Sequence, residues 1–287
     1  MIIFAMRIIP MLSLLLCVAC AQPTKQTQPA DSEASGSQSA PKKKVEKIAQ
    51  LSLEEIGEAK KQYLVPSPGE ILSSLDKLDR VAWSRLASYD TKADYDDKYA
   101  RALNLGVRVA DAFMAVNARD ASKFGEMSTI VFDLAREIGL GDVLEGRRGD
   151  LDNLAADGRW EELKAALDNV QNDVRQEVKA MGESELVVLA SAGGWMEGLR
   201  VVSAHLKDHH TDENAELLKQ ARLIEYFRSE ISQMPAEVQQ HPLVMATVQT
   251  LSTLAPLVGT EAGVGLNETK QIYQVTDRLV ATLEAGR

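Results

Sequence analysis

Two arginines stand inside the most apolar stretches of this chain, and there its side chains come closest to offering chemistry. Leu103 to Val116 carries only Asn104, Arg108 and Asp111 as polar members, spaced at i, i+4 and i+7 along one helical stripe. Leu186 to Leu206 is similar, with Glu197 and Arg200 one turn apart and Trp195 beside them. Two guanidiniums brought together suit a carboxylate or phosphate, because each offers paired donors. Arg108 and Arg200 are therefore the candidate ligand-binding residues. The competing reading, which we prefer, pairs Arg108 with Asp111 and Arg200 with Glu197, each across one turn at the rim of the core.

A second cluster is His205-Leu206-Lys207-Asp208-His209-His210, which holds three of the four histidines. His205 and His209 are i, i+4 and can face one metal or haem iron, with Asp208, Asp212 or Glu213 nearby. Further ligands are unspecified, and a histidine near a helix C-terminus is also favoured by the helix dipole alone. No cofactor follows from the spacing. Gly259 to Gly265 lacks the preceding strand and the Lys-Ser/Thr ending of a phosphate loop. Arg148-Gly149-Asp150 sits in a glycine-rich stretch where composition already explains it. Asp90, Asp94, Asp96 and Asp97 form an acidic patch without the glycine-centred spacing of a calcium loop.

Both cysteines, Cys17 and Cys20, lie at the N-terminal end, and no nucleophile–base arrangement is recognisable. An enzyme built on this chain would have to work with carboxylates alone. The sequence is thus read as a non-enzymatic binding or scaffold module for a protein or small-molecule partner. A formal net charge of −10 argues against nucleic acid, which needs a basic footprint.

The elements that must position these residues read as helices throughout. Hydrophobic residues make up 45% and aromatics 5%, with no alternating strand pattern, so the expectation is all-α. The periodicity predicts eight or nine helices, at 53–64, 68–89, 92–118, 121–139, 158–181, 184–208, 212–233, 242–257 and 268–285. Ser52-Leu53-Glu54-Glu55 and Ser67-Pro68-Gly69-Glu70 read as capping boxes. Thr91, Asp120, Asp157, Thr211 and Asn267 are further cap candidates. Gly139 to Gly149 reads as an interruption. Gly106, Gly194 and Gly198 fall mid-helix, where each costs about 1 kcal/mol relative to Ala, so they predict close helix–helix approach.

An offset of about 92 residues brings Gly106-Val107-Arg108-Val109 onto Gly198-Leu199-Arg200-Val201 and Asp120 onto Asp212. It suggests two three-helix repeats, within 67–157 and 158–257 of a single domain spanning 51–287. No second apolar run after the N-terminus reads as long enough to span a bilayer.

The N-terminus supplies an address. Ile8 to Ala19 is an apolar run of about 12 residues behind the single charge of Arg7, short of the about 20 a spanning helix needs. Leu16-Cys17-Val18-Ala19-Cys20 resembles the lipobox of bacterial lipoprotein signal peptides, with Cys17 where that family usually has Leu. The resemblance implies cleavage of a signal peptide at 1–19 and lipid attachment at Cys20. In that family an Asp after the lipidated Cys retains the protein in the inner membrane. Ala21 stands here, so the resemblance implies an outer-membrane anchor facing the periplasm in a cell with two membranes. Residues 20–50 read as the lipidated cysteine and a disordered tether, since 21–44 contains almost nothing large and apolar. Such a coil of about 24 residues reaches roughly 25–30 Å.

Overall fold

The computed structural model describes Leu78 and residues 81–259 and 263–286. The chain divides into two units, 1–61 and 62–287, and every described residue belongs to the second. The signal peptide, Cys20, the tether and the capping boxes at Ser52 and Ser67 lie outside the described residues. Within them the fold is all-α, with no strand.

The centre is a parallel pair, α2 (Lys98–Ala118) and α6 (Ser184–Leu206), with Lys98 meeting Glu183 at their N-terminal ends. Both are buried nearly all round, as their apolar composition requires. Their close contact explains Gly106, and also Gly193, which the sequence reading did not single out. A Cβ on Gly106 would lie 1.8 Å from the Ala190 carbonyl oxygen and 2.6 Å from the Gly194 amide nitrogen. One on Gly193 would lie 2.0 Å from the Leu103 carbonyl oxygen. Backbone touches backbone here, which only glycine permits.

On one flank of this pair, α3 (Ala121–Glu137), α4 (Gly141–Ala156) and α5 (Trp160–Met181) pack in succession, and α5 returns to α2 and α6. On the other, α11 (Leu266–Ala285) lies along α6, and α10 (Pro242–Val258) joins it to α8 (Ala221–Ser232). Short helices α1 (Trp83–Leu86), α7 (Asp212–Ala215) and α9 (Ala236–Gln239) complete the described elements, with a 3-10 turn at Glu216–Leu218.

Several expected boundaries are corrected. The stretch from Gly139 to Gly149 is not an interruption, because α4 begins at Gly141. Leu140, Leu144, Leu151 and Ala155 recur on one buried face, and that burial outweighs glycines at 146 and 149, which face open space. The expected helix at 212–233 breaks after Leu218, where Gln220 leaves the helical path and accepts a hydrogen bond from the buried Trp195 indole. A buried indole N–H needs an acceptor, and the break supplies it.

The expected helices over 68–89 and from 92 are replaced, among the described residues, by α1 and a non-helical run to Tyr95. The next helix starts at Lys98 because Asp97, not Thr91, caps it, accepting from the Tyr99 and Ala100 amides at 2.8 and 2.9 Å. Asp120 and Thr211 cap as expected. Asp157 instead follows the end of α4, and Gly265 rather than Asn267 precedes α11. Finally, α6 is long and apolar enough by composition to cross a membrane, contrary to expectation. Its apolar window is 83% buried inside the protein, so the length is accounted for by the core it forms.

Candidate functional site

Arg108 and Arg200 do come together, on the facing central helices, and each is paired with acids. Arg108 is completely buried, with its Nη1 3.0 Å from Asp111 Oδ2 and its Nη2 on Glu284 at the end of α11. Arg200 grips Glu197 through two hydrogen bonds, from Nε at 2.6 Å and from Nη2 at 2.5 Å. The one-turn pairs anticipated in the sequence are thus the pairs the protein makes. The two pairs also sense each other, since Arg200 contributes to the field at Asp111.

What periodicity could not reveal is the backbone that completes this cluster. Between α1 and α2 the chain passes across both arginines without forming a helix. Arg200 donates to the Leu86 carbonyl at 2.6 Å and Arg108 to the Asp90 carbonyl at 2.8 Å. Ser88 presents its amide and hydroxyl to Asp111, at 3.3 and 3.2 Å, and its hydroxyl also reaches Glu284 at 2.6 Å. Tyr89 between them has φ +49°, a left-handed conformation unusual for a tyrosine. A helix would have consumed these carbonyls internally, so the unwound segment is what lets two guanidiniums be buried.

The C-terminal end of α11 is fixed from the same side. Asn104 Nδ2 donates to the Leu283 carbonyl at 2.8 Å, and Lys92 Nζ to that of Ala285 at 2.8 Å.

Burial pushes Glu197 up to about 8, against the pull of its hydrogen bonds with Arg200. It raises Asp111 likewise, against the pull of Arg108 and Arg200. The cause is desolvation: a carboxylate without water is costly even when paired. Four acids, Asp111, Glu197, Glu284 and the half-exposed Asp277, surround the two cations.

An apolar opening lies elsewhere, between the central pair and α3, α4 and α5. It has a cavity volume of about 170 Å³. Its floor is buried Leu105, Phe113 and Phe124 with Leu144 and Leu151 of α4. Half-buried Val109, Val131, Leu167, Val170, Val174 and Val187 form its mouth, and Ser128, Gln171 and Ser191 are the polar members of the lining. Ser128 is already tied to Asp152 through its hydroxyl at 3.3 Å. No sequence signal marked this space, because its walls are ordinary core positions of five helices.

His205 and His209 stack in parallel, ring centroids 4.5 Å apart, and a ring nitrogen of His209 lies 3.2 Å from the His205 carbonyl oxygen. Burial, and then the neighbouring imidazole, hold His205 below the ordinary histidine value. Among the described residues no group of three or more His, Cys, Asp or Glu is placed to hold a metal ion. His210 is turned away, its Nε2 3.0 Å from the Val264 carbonyl oxygen.

No family model matches this chain, and neither a curated protein nor a solved structure is significantly similar to it.

Proposed function

We propose that this chain is a membrane-tethered helical module of the cell envelope that binds an apolar ligand without transforming it. The observation that carries the reading is the cavity between α2, α3, α4, α5 and α6. Its walls are almost wholly hydrocarbon and its volume is about 170 Å³. An apolar cavity of about 150 Å³ stays dry and admits benzene. An aromatic ring or a short alkyl segment is therefore the size of group it accepts. The tether and the lipobox resemblance support a location beside a bilayer, which is a reservoir of such groups.

The reading is tested with the full chain in phosphatidylcholine vesicles and fluorobenzene, followed by fluorine NMR. The wild type should show saturable binding beyond the partitioning into protein-free vesicles. Val187→Trp, which narrows the opening, should abolish that binding while leaving the helical circular dichroism intact. Equal binding by wild type and variant would place the probe elsewhere and sink the proposal. The tether is tested separately: Cys20→Ser should leave the precursor uncleaved and release the protein from membranes. A variant that matures and fractionates like the wild type would remove the lipid anchor from the account.

A further inference from the structure

Apart from the apolar cavity, the protein has a cleft of about 310 Å³ where α1 faces the C-terminal end of α6 and the middle of α11. Its lining includes Arg85, Arg200, Lys207, His205, His209 and Tyr273. Asp208 is the acid among the lining residues. A local excess of cations in a chain of net charge −10 is a departure from the rest of its surface. Many other surface cations are answered by an acid one turn away, as in Lys123–Glu126, Arg136–Asp133 and Arg159–Glu162. Arg85 has no ion-pair partner among the described residues, and Lys207 rests over the Tyr273 ring at 4.2 Å rather than on a carboxylate.

Arg200 is the fixed member. Its Nε and Nη2 are held by Glu197 and the Leu86 carbonyl, which locks the guanidinium plane. Among the described residues its Nη1 is met only by Asp277, at 3.6 Å, and that carboxylate is 49% exposed. Such a long, half-solvated pair is weak and can be displaced.

We propose that this cleft binds a phosphate monoester, with the phosphate between Arg85, Lys207 and Nη1 of Arg200, and the organic body against Tyr273. Three cations around one space match a dianion with three terminal oxygens, whereas a single bidentate arginine would satisfy a carboxylate. The cleft also exceeds a bare ion, so the phosphate must carry a body. Asp277 is then the internal competitor that the phosphate displaces. This site is independent of the apolar cavity, and neither proposal requires the other.

The test uses the full chain in phosphatidylcholine vesicles and titrates phenyl phosphate, above its second pKa of about 6 so that it is dianionic. Saturable binding should weaken roughly tenfold in Arg85→Ala and in Lys207→Ala, each removing one charge-assisted contact from the rim. Asp277→Asn should strengthen binding several-fold, which a merely structural role for Asp277 would not produce. Doping the vesicles with phosphatidic acid distinguishes the source of the ester. Suppressed phenyl phosphate binding assigns the site to a lipid headgroup, and unchanged binding to a soluble ester; either outcome upholds it. Absence of saturable binding, or equal affinity in wild type, Lys207→Ala and Asp277→Asn, overturns it.

Discussion

Gly106 carries more of the fold than its size suggests. It lets the α2 backbone lie against the Ala190 carbonyl, and a methyl group there would meet an oxygen at 1.8 Å. Helix propensity alone would make Gly106→Ala stabilising by about 1 kcal/mol. Overpacking against backbone should instead make it destabilising by about 1–3 kcal/mol or more. Gly146→Ala is the matched control, because nothing lies within 4 Å of a Cβ there. Thermal melts of the two variants should move in opposite directions, and a shared direction would show that the crossing is looser than described.

Glu197 is the second residue with a sharp consequence. Its folded value of about 8 stands above the ordinary 4.5. The stability it contributes is therefore fully present below about pH 4.5 and is lost as pH rises through about 8. Glu197→Gln fixes the neutral form. The melting temperature of the wild type, relative to that of the variant, should fall across this window. Parallel curves would mean that Glu197 is charged throughout. Glu197→Ala removes the bidentate partner of Arg200 instead and should cost about 3–5 kcal/mol.

At the scale of elements, the sequence was most legible where a helix had a long apolar face. The described α3, α5, α6, α10 and α11 fall within a few residues of their expected spans for that reason. The one-turn Arg–acid pairs were legible too, because spacing on a helix dictates them. Three features escaped for physical reasons. The glycines of α4 masked an apolar face, the break at Gln220 answers a distant indole, and the non-helical segment after Leu86 presents its carbonyls to arginines on other helices. The apolar cavity escaped for the same kind of reason, since five helices must be in place before it exists. Asp97 tests the start of α2 as an element. It accepts two backbone amides and lies 3.0 Å from His241, so Asp97→Ala should cost about 1–2 kcal/mol by denaturant unfolding. A loss below a few tenths would mean that the helix starts without its cap.

For the whole molecule, the two flanks of the central pair have different characters. The side bearing α10 and α11 packs into a continuous core around Leu251, Leu254, Ile272 and Leu279, all of them fully or nearly fully buried. The side bearing α3, α4 and α5 closes less completely and leaves the apolar cavity. The buried ion cluster ties the C-terminal end of α11 to both central helices, so the first flank stays fixed. An apolar ligand can then be admitted on the other flank without disturbing the central crossing. Methyl-resolved NMR of the full chain during titration with benzene tests this most directly. The account predicts saturable shifts concentrated in methyls of Leu105, Leu144, Leu151, Leu167 and Val170, with those of Leu254, Leu279 and Leu283 unmoved. Shifts spread evenly over both flanks, or none at all, would contradict it.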